Sequence, residues 1–362
     1  MNEPDGSPPG GLPATGVLVI GECLVDLAPV AAPEGGLAGP VGLAGPGGLG
    51  GPANLRQPSQ PFVALPGGGP ANVAIGLARL GARSVFAGRL SRYGFGPWLS
   101  QHLASNGVDL SLSVDAPENA TLAVVTLDQQ GRATYTFYSP DTSDWQWQES
   151  ELPFPLPETF VAHGLAAVHT GSLALAYEPC GPVLAGWLAK LRRQTDVAIS
   201  IDPNVRPAPG SDVDVYRRRL EDVISSSHIV KASVDDVEAM YPGKPAREAV
   251  DRWMAAGASL VVLTEGAEGA TAFHSGGFRS HVRAPRIEVA DTIGAGDAFS
   301  AGLLAFFAEH GLLSPAGVAQ AAAADLEAAL AEAIAISAYT CTRPGADPPT
   351  RDALQSFVAA HR

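Results

Sequence analysis

Residues 291–306 read DTIGAGDAFSAGLLAF, a Gly-Ala-Gly-Asp turn running straight into an apolar helical stretch. Gly294 and Gly296 permit a tight turn whose free amides point outward, and the helix that follows adds its positive end, so the spot favours an anion. Asp297 sits inside that spot. A carboxylate there can take a proton from a hydroxyl while the amides of Gly294, Ala295 and Gly296 stabilise charge on a transferring phosphoryl group. The chemistry this suggests is phosphorylation of an alcohol. Read alone, the stretch also fits a glycine-rich helix cap with an acidic first turn. Such a cap, however, needs neither two glycines nor the preceding Asp291-Thr292 pair.

The surrounding chain narrows the field. With 362 residues and a hydrophobic share of 46%, it can bury the core of one large α/β domain plus a smaller piece. A net charge of −14 without a basic run argues against nucleic-acid and anionic-membrane partners. Lysine occurs only at Lys190, Lys231 and Lys244, none of them in a GxxxxGK setting, so a P-loop is excluded. Bound nucleotide phosphates would have to be neutralised by backbone amides, a divalent metal and arginine. Cys23, Cys180 and Cys341 are widely spaced with no CxxC pair, which fits a reducing compartment and speaks against structural zinc. No secretory or membrane-spanning pattern is present, and the expected location is cytoplasmic.

Hydrophobic periodicity predicts a disordered leader over 1–15 and then alternating short apolar runs and helical patterns. Strands are expected over 17–21, 84–88, 166–170, 197–202, 228–231 and 260–264, and helices over 71–80, 95–106, 178–193 and 212–225. This is a largely parallel sheet covered by helices on both faces, with ligands beyond the carboxyl ends of its strands. Two stretches break the rhythm. TLAVVTLD and ATYTFYS, joined at Gln129, Gln130 and Gly131, read as an antiparallel hairpin. The organisation expected is a main domain of 16–22, 66–108 and 150–362, with a β lid of 23–65 and 109–149. The lid carries a Gly/Pro-rich insert at 31–60, where glycine recurs every third position from Gly36 to Gly51. Six triplets are too short for a collagen helix, and a flexible, partly polyproline loop is expected.

Five further strings place polar groups at strand or helix ends. In VLVIGECLVDL, Asp26 follows a buried strand and could accept from adjacent sugar hydroxyls. In GGGPANVAIGLARLGA, Gly68 and Gly69 let a substrate approach the backbone, and Asn72 in the first turn can donate and accept. DPNVR ends in Arg206, able to clamp a phosphate or a sugar acid. KASVDD carries Lys231, Ser233 and Asp236 after another strand, and TEGAEG makes a glycine turn with Thr264, Gly266 and Gly269. Each has a bland reading as turn, cap or surface. A nicotinamide dehydrogenase would need GxGxxG after the first strand, and the chain there reads GECLVD.

Together the GGGPAN and DTIGAGD strings, in this order and spacing, resemble the two signatures of the ribokinase-like (PfkB) carbohydrate kinases. DPNVR and RPGADPP resemble the fructokinase branch, with 2-keto-3-deoxygluconate kinases second and nucleoside kinases third. The resemblance covers 17–349 apart from the insert, and implies a ribokinase-like α/β fold with a small β-sheet lid. It implies an ATP-dependent sugar kinase with Asp297 as catalytic base, Asp26, Gly68, Gly69, Asn72 and Arg206 on the sugar, and Lys231, Ser233, Thr264, Gly266 and Gly269 on the nucleotide. Mg²⁺ is implied near Asp236 through water, K⁺ at Asp291 and beside 340–349, and a homodimer through the lid. A helix-end Asp297 is expected to be ionised and a weak base, so that positioning outweighs proton abstraction. Where the family reads Gly-Asp-Asp-x-Phe-Gly, this chain has SRYGFG, and Glu265 puts a charge in the phosphate turn, expected to face solvent. A decayed, non-catalytic sugar binder is the alternative from another class. His169 is expected to be a satisfied core residue.

Overall fold

VLVI opens strand β1 (Gly16–Ile20), and its side chains divide by the period of a pleat. Val17 and Val19 join one hydrophobic cluster, Leu18 and Ile20 the other. A strand buried on both faces needs apolar residues at every position, which is why the run does not alternate. The computed structural model describes residues 16–29, 61–127, 133–153, 164–208 and 210–361. The predicted leader, the Gly-X-Y repeat and the 129–131 connection lie outside these residues.

The lid strands come next: β2 (Leu24–Pro29) and β3 (Phe62–Gly67). They are followed by β4 (Ser84–Ala87), β5 (Arg89–Ser91), β6 (Val114–Ala116), β7 (Leu122–Leu127) and β8 (Ala133–Tyr138). The second half adds β9 (Leu165–Gly171), β10 (Ala198–Asp202), β11 (Ile229–Ser233), β12 (Leu260–Thr264), β13 (Ala270–His274) and β14 (Arg279–Val282). The main sheet runs β14-β13-β12-β11-β10-β9-β1-β4 and is parallel from β12 to β4, with β13 and β14 antiparallel at one edge. A separate four-stranded sheet, β3-β2-β7-β8, contains the predicted antiparallel hairpin β7-β8 and a parallel β2-β7 pair. This is the mainly parallel sheet with a small β-sheet lid that the resemblance implies.

Helices cover both faces of the main sheet. On the Val17 side pack α1 (Gly69–Arg79), α7 (Ala295–Glu309) and α9 (Ala323–Cys341), through Leu77, Leu304 and Leu330 among others. On the Leu18 side pack α3 (Cys180–Gln194), α4 (Val213–Ser225) and α6 (Ala246–Ala255), through Leu188, Leu220 and Trp253. The remaining helices are α2 (Gly96–Ser105), α5 (Val234–Met240), α8 (Pro315–Gln320) and α10 (Arg351–Ala360). Not all of 109–149 belongs to the small sheet. β6 pairs with β5, and Trp145 and Trp147 are buried in the main core. Because the central strands are parallel, Glu22, Gly171, Asp202, Ser233 and Thr264 all emerge at one sheet edge, where α1 and α7 also begin.

Candidate active site

Two helix N-termini face each other at that edge. Gly294 caps α7 in the left-handed region at φ 73°, and a β-carbon there would fall on Ala346, so glycine is required on both counts. Gly68 caps α1 at φ 109°, where a β-carbon would collide with the Glu22 carbonyl. Asn72 Nδ2 donates to Asp297 Oδ2 across the gap at 2.8 Å. A β-carbon on Gly69 would come within 3.2 Å of Asp297 Oδ1.

Asp297 is not the ordinary helix-end carboxylate expected from its position. Burial raises its pKa from 3.8 to about 6, with Asp202 adding to the rise, while the Asn72 hydrogen bond and the charges of Lys231 and Arg206 oppose it. The cost of drying the carboxylate exceeds the favourable field at the end of the helix. Asp26 is also raised to about 6 by burial, and its carboxylate lies against Gly67 at the end of β3. Asp26, Asp291 and Arg206 all act electrostatically on Tyr135 of β8, so the lid brings a phenol within range of the charges on this side of the site.

Sequence reasoning passed over a buried ion pair next to these groups. Lys231 Nζ donates to Asp202 Oδ2 at 2.7 Å, both side chains being almost fully buried. Desolvation lowers the Lys231 pKa and its neighbours Asp202, Asp236 and Asp297 more than restore it, so the ammonium stays charged. A β-carbon on Gly296 would come within 2.9 Å of Nζ, so the cation lies at the amide turn that begins α7. Asp202 stood in plain view as the first residue of DPNVR. Its partner sits on β11, and only the sheet order brings the two together.

A small cavity of about 10 Å³, the room of one water molecule, is lined by Gly69, His169, Ser172, Asp202, Asn204 and Asp297 among others. On the other side of the α7 turn a cavity of about 610 Å³ opens, with Thr264, Gly266 and Gly269 on one wall and Gly296, Phe299 and Ser337 on another. The α7 N-terminus therefore stands between the two. The larger space is mostly apolar and of the size that takes a cofactor or nucleotide base.

The other predicted residues are placed as follows. Ser233 and Asp236 form a reciprocal cap on α5: Ser233 Oγ accepts from Asp236 N, and Asp236 Oδ2 accepts from Ser233 N at 2.8 Å and from its hydroxyl. Asp236 Oδ1 accepts from Val205 N at 2.7 Å, tying this cap to the turn after β10. Arg206 is exposed and its Nη1 donates to the Val205 carbonyl, so its charge reaches Asp297 without a contact. Asp291 accepts from Ile293 N at 3.1 Å and Gly345 N at 2.8 Å, stapling the anion turn to the 345 loop. Glu265 does not point to bare solvent. Its Oε2 accepts from Thr271 Oγ1 at 3.0 Å and lies 3.6 Å from His281 Nδ1, which turns the charge away from the glycine turn. His169 is buried, bonded to Ser200 and held neutral by burial, its pKa lowered to about 3. In SRYGFG, Arg92 pairs with Asp115.

A sequence model described as pfkB family carbohydrate kinase matches residues 15–353. The chain is 34% identical over 292 residues to a fructokinase of Klebsiella pneumoniae, covering 80% of this chain and 91% of that one. It is 33% identical over 246 residues to a probable chloroplastic fructokinase of Arabidopsis thaliana, covering 67% of this chain and 62% of that relative's length. Among solved structures, the fructokinase of Vibrio cholerae with fructose, ADP and calcium bound superposes with a TM-score of 0.75 at 26% identity, over 95% of this chain and 99% of the other. The fructokinase of Xylella fastidiosa with bound ATP gives 0.80 at 24% identity over 96% and 99%, a likeness of fold.

Proposed function

Because the chain belongs to the pfkB family of carbohydrate kinases, we propose that it transfers the γ-phosphoryl group of ATP to a hydroxyl of fructose, with Asp297 as the base. That it is a phosphotransferase acting on a sugar hydroxyl follows from its family; the acceptor, the donor and the residue roles are the reading argued from the site. One observation carries the roles: Asp297 stands where the acceptor side, reached through Asn72 and Gly69, meets the amide turn of Gly294, Ala295 and Gly296. The sugar lies on the Asp26 and Asn72 side, near Tyr135. The nucleotide fills the large cavity with its phosphates over the Thr264–Gly269 turn.

Asn72 aims the Asp297 carboxylate, and burial brings its pKa close enough to neutrality for it to take the acceptor's proton while remaining ionised at pH 7. As the acceptor oxygen bonds to phosphorus, the bond to the departing ADP oxygen breaks and the proton rests on Asp297. The α7 amides and the Lys231 ammonium receive the charge spread over the phosphoryl oxygens. No cluster of three or more metal-ligating side chains exists among the described residues. A magnesium ion would be carried by the phosphates and its own water, with Asp236 as the carboxylate that would hold it through water. When bound, that ion neutralises the β- and γ-phosphates. K⁺ is assigned to the loop that Asp291 staples. The three cysteines are free, and among the described residues no helix is long and apolar enough to cross a membrane. These observations support a cytoplasmic enzyme.

A panel of fructose, 2-keto-3-deoxygluconate and nucleosides, assayed by ADP release with ATP and Mg²⁺, tests the acceptor, and fructose should turn over fastest. Asp297→Asn should lose on the order of 10²- to 10⁴-fold in kcat, the range of a general base; near-normal turnover overturns the assignment. On the face opposite Asp26 the lid exposes Phe62 and Tyr138, apolar side chains that support a lid-to-lid homodimer. Light scattering should give twice the monomer mass, and a strictly monomeric protein at high concentration refutes that pairing.

A further inference from the structure

Behind the acceptor side lies a carboxyl group that phosphoryl transfer as described does not use. Glu22 follows β1 directly and is fully buried. Its Oε2 accepts from the Ala174 amide at 3.1 Å, the Ser172 side chain acts on the carboxyl from close range, and Oε1 has no aligned partner among the described residues. Ser172 is held at φ 59° and Asn204 at φ 37°. Such settings are costly for residues other than glycine and persist where the surroundings fix them, often at functional sites. Asn204 Nδ2 donates to Ser172 Oγ at 3.2 Å. Ser172, Asn204 and Asp297 line the same small cavity.

Hydrogen-bond polarity orders this chain of groups. Ser172 has one proton to give, and an ionised carboxylate only accepts. Ser172 therefore donates to Glu22 and accepts from Asn204 Nδ2, which leaves the carboxamide oxygen of Asn204 for the cavity. We propose that Glu22 is a positioning residue for the acceptor sugar: through Ser172 it sets the Asn204 carboxamide so that its oxygen accepts from a sugar hydroxyl beside Asp297. Protonation of Glu22 reverses the relay. Glu22 then donates to Ser172, Ser172 donates to the Asn204 oxygen, and the carboxamide presents its NH₂ instead.

Burial raises the Glu22 pKa to about 7, Asp144 adding to the rise, while Ser172 and the hydrogen bond from Ala174 oppose it. The groups facing it are Asp144 from the turn at 143–145, raised to about 6, the thiols of Cys23 and Cys180, kept protonated by burial, and Tyr216 of α4, raised to about 12. Glu22 is thus the member of this set that titrates near neutrality, and acceptor affinity should strengthen as pH rises through about 7. Asp26 titrates lower, at about 6.

The inference rests on the acceptor lying beside Asp297, so its test reads sugar binding, which needs neither turnover nor a base. Calorimetry with fructose, without nucleotide, is run from about pH 6.5 to 8.5, or with whichever sugar of the panel turns over fastest. Wild type should tighten by about threefold across the range, the part of one hydrogen bond's tenfold that a group titrating near 7 releases there. In Glu22→Gln the amide oxygen must face the Ala174 N–H, so its NH₂ faces Ser172 and mimics the protonated state. This variant should bind sugar about tenfold more weakly at the alkaline end, with a flat pH profile and nucleotide affinity within about twofold of wild type. Ser172→Ala should show the same flat profile, and it alone decides the matter if Glu22→Gln does not fold. A flat wild-type profile, wild-type pH dependence in either variant, or an equal loss of sugar and nucleotide affinity overturns the proposal. Asp297→Asn assayed alongside separates the two readings, since retained turnover there refutes the base and leaves the binding data to judge the relay.

Discussion

The pKa of Asp297 is set by a contest among named neighbours. Burial and Asp202 raise it, and Asn72, Lys231 and Arg206 hold it down to about 6. The sign for the rate follows: the base is ionised above about pH 6, so kcat/KM should rise through that value as protons leave. Asn72→Ala removes a donor that stabilises the carboxylate, so its pKa, and with it the acid limb of the pH–rate profile, should move upward. A limb that stays put would show that the 2.8 Å contact does not govern the base. Asp297 and Asn72 were both legible in sequence, each in a glycine-rich turn before an apolar helix. The raised pKa was not, because a string of residues reports the helix dipole at a site and not the depth at which the fold buries it.

A helix cap explains more of KASVDD than a ligand site does. Ser233 and Asp236 satisfy each other's orphan amides at the start of α5, and the spare oxygen of Asp236 holds the turn that follows β10. Ser233→Ala should therefore cost about 1 kcal/mol of stability, read from denaturant or thermal unfolding, while the nucleotide KM stays near wild type. A large rise in nucleotide KM at unchanged stability would restore the direct nucleotide contact that the motif suggested. The strands were legible because parallel strands buried on both faces must be apolar runs, as in VLVI and LVVLT, bounded by glycine or charge. Strand order was not. The Lys231–Asp202 pair joins neighbours β10 and β11, and Tyr135 reaches the site only because β8 lies in the lid sheet. Both depend on pairings that periodicity within one segment does not encode.

Across the whole molecule, the carboxyl groups displaced from their usual range gather where the sheet, α7 and the lid meet. Glu22, Asp26, Asp144, Asp202 and Asp297 are all raised by burial, Glu22 to about 7 and Asp26, Asp144 and Asp297 to about 6, while Lys231 opposes the rise of Asp202. Each holds in the folded state a proton that the unfolded chain has already lost, so each favours folding more as pH falls through its folded value. His102, His169 and His228 act in the opposite sense. Burial lowers them, and the unfolded chain takes up protons below about 6.5 that the fold refuses. The two sets titrate over overlapping ranges and largely offset each other. The excess negative charge of the chain, −14 at pH 7, relaxes on acidification. The melting temperature should therefore rise as pH is lowered from about 8 toward 5.5, while kcat/KM falls through about 6 as Asp297 takes its proton. Scanning calorimetry and initial rates in the same buffers compare the two curves. Coincident optima near pH 8 would mean that relaxing this charge does not favour the fold. A stability optimum on the acid side of the activity optimum is the outcome required if ionised carboxylates are kept in a dry site for catalysis at the expense of the fold.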